Sequence, residues 1–204
     1  MLRHPASDRS KLRRPAGMPV VGVAASAGGP AALAAILPSL SGLEAPVLIV
    51  QHLDPRFVND FKEWMARVSP LPVELPEDGK ALRRGTIYIA SPGHHLKLGT
   101  GRRAVLDTMP IRPHCPSADE LFLSIAGQAG RQGVGVILTG MGDDGALGLL
   151  ALHRAGGTTV VQDRESSAVH GMPSAAGRLA AVDRVLPLAR IASAIHQAVK
   201  VRTA

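Results

Sequence analysis

The sequence predicts an α/β fold: a doubly wound, mostly parallel sheet with helices on both faces and a β-hairpin insertion. Three observations carry this expectation. Apolar runs of strand length recur at residues 19–24, 46–51 and 133–139, and each is nearly continuous, as strands buried on both faces are. Helix-length segments alternate with these runs, and that alternation implies parallel pairing through right-handed crossovers. Finally, 204 residues with 46% hydrophobic content suffice for one such domain with a full core.

Residues 1–18 read as a basic, disordered tail and residues 19–204 as the domain. The first strand, 19–24, leads into a helix from Pro30 to about Leu40. Pro30 suits a first helical turn, where its missing N–H is not needed, and Ser41-Gly42 ends the helix. The second strand, 46–51, is followed at Asp54-Pro55 by a helix reaching Val68, with Phe57, Phe61, Trp64 and Val68 at three- and four-residue spacing.

Residues 70–106 differ. Short runs at 73–75, 85–90, 95–98 and 103–106 surround glycine turns, which predicts a β-hairpin, antiparallel to the main sheet. Ser117-Ala118-Asp119-Glu120 has the form of a capping box, with Ser117 as N-cap and Glu120 reaching back, and a helix runs on to about Ala129. A strand at 133–139, a helix at 145–155 stopped by Gly156-Gly157, strands at 158–162 and 182–186, and a closing helix at 191–201 complete the chain.

Composition narrows the function. Aromatic residues are 2% of the chain, too few for a platform that stacks single-stranded nucleic acid. The net charge of +7 is uneven: Arg3, Arg9, Lys11, Arg13 and Arg14 face only Asp8 near the N-terminus, as expected of a solvated terminus. With Cys115 the one cysteine, neither a disulfide framework nor a CxxC metal pattern is possible within one chain, which fits a reducing cytoplasm. No apolar run has the length of a membrane span, and no apolar segment of a secretory signal follows the basic N-terminus.

Three of the strands end in chemically able residues. Ser26 follows the first strand in the small-residue turn Ala25-Ser26-Ala27-Gly28-Gly29, His52 follows the second, and Asp143 and Asp144 follow the third within Gly140-Met141-Gly142-Asp143-Asp144-Gly145. Ligand sites in open α/β sheets gather at the carboxyl ends of the strands. A serine hydroxyl needs a neighbouring base to become a nucleophile, and an imidazole oriented by a carboxylate supplies one. N–H groups at the start of the following helix can stabilise an oxyanion. Physics alone does not choose between Asp143 and Asp144. Each residue also has a plainer role: a phosphate-cradling turn for Ser26, a helix cap for His52, loop chemistry for the aspartates. No GxGxxG and no P-loop lysine supports the phosphate-cradling turn, and no spaced partner cluster makes the aspartates a metal site. His94, His95, His114 and His170 fall in loops that can also reach a site.

The turn around Ser26, Val50-Gln51-His52-Leu53, and above all Leu138-Thr139-Gly140-Met141-Gly142-Asp143-Asp144-Gly145-Ala146 resemble the catalytic domain of the CheB-type chemotaxis methylesterases. Tyr88-Ile89-Ala90-Ser91-Pro92-Gly93, Gly171-Met172-Pro173 and the stretch from Arg112 to Asp119 are similar as well. The resemblance implies a cytoplasmic protein-glutamate methylesterase, in many members also a glutamine deamidase. Its partner would be a methylated chemoreceptor, with contact to the membrane only through that receptor, without nucleic acid, cofactor or metal. It makes Ser26 the nucleophile, His52 the base and Asp144, directly before Gly145, the orienting acid. Ala27, Gly28 and the Met141 N–H become the oxyanion and substrate positions.

The chain departs from the family pattern at Ala27, where threonine is usual, and at Ala24, where glycine is usual. Residues 1–18 are too short for the family's N-terminal receiver domain, which implies a site not blocked in cis. Two other readings stay open: an inactive homologue serving as a receptor- or kinase-binding adaptor, and a nucleotide-binding domain using the Gly28-Gly29 turn.

Overall fold

In the computed structural model, which describes residues 17–110 and 113–203, a seven-stranded sheet divides two helical layers. The strands are β1 (Val20–Ala25), β2 (Val47–Gln51), β3 (Val73–Glu74), β4 (Ile87–Ile89), β7 (Gly133–Ile137), β8 (Thr158–Gln162) and β9 (Arg184–Leu186). They lie in the order β3-β4-β2-β1-β7-β8-β9, and every neighbouring pair is parallel. β5 (His95–Leu98) and β6 (Ala104–Asp107) form a separate antiparallel pair.

The central strands are fully buried: β1, β2 and β7 have no exposed position. Val, Ile, Leu and Ala therefore project from both faces, and each face takes its own helices. One face packs α1 (Gly29–Ile36), α2 (Val58–Val68) and α6 (Leu188–Thr203) around Leu33, Phe61, Met65, Ile191 and Ile195. The other packs α3 (Ala118–Ala129), α4 (Ala146–Arg154) and α5 (Gly171–Arg178) around Phe122, Leu149 and Met172. The β5–β6 pair lies on this second face, with Leu96, Leu98 and Ala104 in its core.

Four expectations need correction. Residues 73–74 and 87–89 are parallel strands of the main sheet, and only β5–β6 is a hairpin. A 3-10 turn over Pro55–Phe57 precedes α2, so the buried stripe is Val58, Phe61 and Met65, while Phe57 is 55% exposed. The helix α5 forms where the sequence carries no helical signal, because Gly171, Pro173 and Gly177 are poor helix formers. The capping box is only half formed. Ser117 is the N-cap of α3, but Glu120 turns to Lys97, 3.3 Å away, and the Ser117 N–H donates instead to Nδ1 of buried His95 at 3.1 Å. The basic tail falls largely on residues outside the described range, as does Arg112.

The strand order reverses between β1 and β7: successive strands leave β1 toward β2 on one side and return to β7 on the other. Loops diverge at such a point and leave a crevice at the carboxyl ends. The turns after β1, β2 and β7, which carry Ser26, His52 and Asp144, border it.

Candidate active site

Register brings Ser26 and His52 together. β1 and β2 pair with Ala25 opposite Gln51, so the two residues are the first beyond the paired strands, and the His52 N–H donates to the Ala25 carbonyl at 3.0 Å. Ser26 is half-buried and its own N–H donates to the Thr139 carbonyl at 3.1 Å, tying it to the turn after β7. The Gly29 N–H closes the turn on the Ser26 carbonyl at 2.8 Å.

This turn needs small residues for two physical reasons. Gly28 has φ +78°, a left-handed conformation that disfavours side chains, and a Cβ there would lie 2.6 Å from that of Ala168. Across the crevice a Cβ on Gly140 would stand 2.9 Å from the Ser26 Cβ and 2.2 Å from the Met172 sulfur. Glycine at 140 is what lets the turn after β7 approach the serine.

The clearest pairing is that of His52 with Asp144, at 2.8 Å between Nε2 and Oδ2, with side chains 13% and 9% exposed. Asp144 is chosen over Asp143, whose residue is exposed. Its carboxylate caps the start of α3. Oδ1 accepts the Ser117 hydroxyl at 2.7 Å and the Asp119 N–H at 3.1 Å, and Oδ2 accepts the Ala118 N–H at 2.7 Å. Burial on its own would raise the Asp144 pKa. The bonds from His52, Ala118, Ser117 and Asp119 outweigh it and hold the carboxyl at about 2. The group is ionised at neutral pH and can only accept, so His52 carries its proton on Nε2 and offers Nδ1 as its lone pair. The Ser26 hydroxyl makes no hydrogen bond to the imidazole in this structure. Such bonds are commonly long before substrate binds.

Several residues of the site were not assigned a role in the sequence. His114, noted only as a loop histidine within reach, stacks on His52 with ring centroids 4.4 Å apart and planes 16° from parallel. Ser117 caps α3, as its sequence pattern predicts, and it also holds Asp144. Buried Thr139 places its hydroxyl 2.9 Å from the Ala27 carbonyl and accepts the Val169 N–H at 2.9 Å. The signals for Ser117 and Thr139 were present, since a Ser-x-x-Glu helix start and a hydroxyl at a strand end both bond backbone locally. Which distant group they would also reach is a tertiary fact.

Among the described residues, the N–H groups of Ala27, Gly28 and Met141 donate to no other group. Ala27 and Gly28 are exposed at the start of α1, and Met141 is 75% exposed across the crevice. Beside Asp144 a cleft of about 390 Å³ opens, bordered by His114, Ser117, Leu147 and Arg178; neither Ser26 nor His52 lines it. No cluster of three or more metal-ligating side chains occurs among the described residues, and no helix there is long and apolar enough to cross a membrane.

Comparison with known proteins agrees with this architecture. Residues 21–195 match the family model described as CheB methylesterase. The chain belongs to the CheB methylesterase family. Among its CheB relatives is the protein-glutamate methylesterase/protein-glutamine glutaminase 3 of Myxococcus xanthus, 45% identical over 179 residues, covering 87% of this chain and 50% of that protein. The corresponding enzyme of Gluconobacter oxydans is 43% identical over 197 residues, covering 93% of this chain and 56% of that one. The chain thus spans about half the length of these relatives. The crystal structure of the Thermotoga maritima CheB methylesterase catalytic domain superposes with a TM-score of 0.85 at 32% identity, covering 89% of this chain and 98% of that one. The match bears out the predicted doubly wound fold.

Proposed function

We propose that the chain is a protein-glutamate methylesterase that releases methanol from glutamyl methyl esters through Ser26, His52 and Asp144. Membership of the CheB family supports the reaction class, and the His52–Asp144 pair of 2.8 Å is the observation that carries the assignment of residues. The imidazole is fixed with its Nε2 proton on the carboxylate, so Nδ1 takes the Ser26 proton as Oγ attacks the ester carbonyl. The Ala27, Gly28 and Met141 N–H groups receive the developing oxyanion. Collapse of the tetrahedral species breaks the C–O bond to methoxide, and the imidazolium gives its proton to the leaving group. Water, deprotonated by His52, then cleaves the Ser26 acyl ester and frees the glutamate.

The same sequence with a primary amide releases ammonia, so glutamine deamidation is part of the proposal; the names of the Myxococcus and Gluconobacter relatives carry both activities. The substrate we propose is a methylated glutamate on the helices of a chemoreceptor, met in the cytoplasm. Methanol release from a methylated receptor fragment tests the reading. Ser26→Ala is expected to abolish release with the fold intact, and full activity in that variant refutes Ser26 as the nucleophile.

A further inference from the structure

We infer that Gln51 is a positioning residue for this reaction: its side-chain amide ties the backbone bearing Ser26 to the backbone bearing His52 and so sets the approach of hydroxyl to imidazole. The inference rests on the roles proposed above for those two residues.

Gln51 ends β2, 4% exposed, after the wholly buried apolar run Val47, Leu48, Ile49 and Val50. Its Nε2 has two hydrogens, and both are used. One goes to the Ser26 carbonyl and the other to the His52 carbonyl, each at 2.9 Å. Only this orientation of the amide suits two acceptors. The Ser26 carbonyl is the same atom that accepts the Gly29 N–H, so the amide braces the turn at its closure. Pairing of β1 with β2 stops at Ala25 and Gln51. Beyond that pair, the main-chain bond from His52 to Ala25 and this amide are what join the two segments.

The other half of the amide argues against a merely structural plug. Oε1 is buried without a partner, against the Cα of Gly29, where a Cβ would come within 2.1 Å of it. An unpaired buried acceptor destabilises a fold. An apolar side chain of similar length would fill the space without that cost, but it could not bridge two carbonyls. The polar residue stands where it can hold the reacting groups in register, and misplacement by about 1 Å can cost a reaction on the order of 100-fold.

The test compares wild type with Gln51→Met, of similar length and without donors, and with Gln51→Glu, of similar shape and acceptor-only when ionised. Each is read for kcat and KM on a methylated receptor fragment and for the rate and stoichiometry of labelling by a serine-directed fluorophosphonate. Ser26→Ala serves as the control. We expect kcat and the labelling rate to fall together by about 30- to 100-fold, with KM within about threefold and labelling still reaching one per chain. Wild-type kcat in either folded variant overturns the inference while leaving the Ser26 assignment standing. A loss of folded, labelable fraction that accounts for the whole deficit in both variants also overturns it, since Gln51 then serves the fold alone. An active Ser26→Ala control would instead remove the reading on which the inference rests.

Discussion

Asp144 meets His52 at Nε2, not Nδ1, and the 2.8 Å bond leaves Nδ1 as the nitrogen available to a proton donor. The carboxylate that makes this choice is itself fixed by the Ser117 hydroxyl and the N–H groups of Ala118 and Asp119. The orientation of the His52 imidazole is thus set by the start of α3, an element distant in sequence from both Ser26 and His52.

On the proposed roles, replacing Asp144 costs the tautomer. Asp144→Asn is expected to lower kcat on methylated substrate by about 10³-fold or more, with KM little changed, as for orienting carboxylates generally. His52→Gln is expected to cost at least as much. Steady-state methanol release measures both, and a loss under tenfold in either contradicts the assigned roles.

The same carboxylate links stability to pH. Its folded pKa of about 2 lies below the ordinary aspartate value of 3.8, so ionised Asp144 stabilises the native state above pH 3.8 and the contribution fades as pH falls toward 2. That lowering corresponds to about 2 kcal/mol at neutral pH. Urea unfolding at pH 7 is expected to show Asp144→Asn less stable by about 2 kcal/mol or more, and the gap is expected to narrow below pH 3. A gap that widens on acidification contradicts the sign.

Gly140→Ala puts a methyl group 2.9 Å from the Ser26 Cβ and 2.2 Å from the Met172 sulfur. Crowding of this kind costs about 1–3 kcal/mol. Because the displaced group is the proposed nucleophile, kcat is expected to fall more than stability requires. Thermal melts beside activity separate the two effects; a variant with wild-type melting and turnover removes the argument from close approach.

How much of this was legible in the sequence follows from the range of the forces involved. Ser26, His52 and the Asp143–Asp144 pair could be singled out because each lies just past an apolar run, and the segment that follows a buried parallel strand emerges at the sheet edge. Strands β3 and β4 could not be assigned a sheet, since two or three residues carry no period. The stripe of α2 was misphased because a 3-10 turn precedes it and shifts the face, leaving Phe57 outside. Helix α5 hid behind glycine and proline, and its place comes from packing Met172 and Ala176 into the core. The choice of Asp144 over Asp143 depended on resemblance to the family, because adjacent aspartates in a glycine loop look alike until the start of α3 meets one of them.

Ala27, where the resemblance read from the sequence implies threonine, is exposed beside Ser26 just before α1. A hydroxyl there can donate one further hydrogen bond in the crevice. Ala27→Thr is expected to raise kcat about fivefold, the equivalent of one neutral hydrogen bond of about 1 kcal/mol. Methanol release under saturating substrate checks it, and unchanged or lower turnover contradicts a role for that hydroxyl.

The most direct measurement is the site of covalent trapping. Wild-type protein is treated with a serine-directed fluorophosphonate, digested and mapped by mass spectrometry, in parallel with His52→Gln. A single adduct on Ser26, formed at least 10³-fold more slowly in the variant, is the predicted result. An adduct on another serine, or none on the folded wild-type chain, contradicts it.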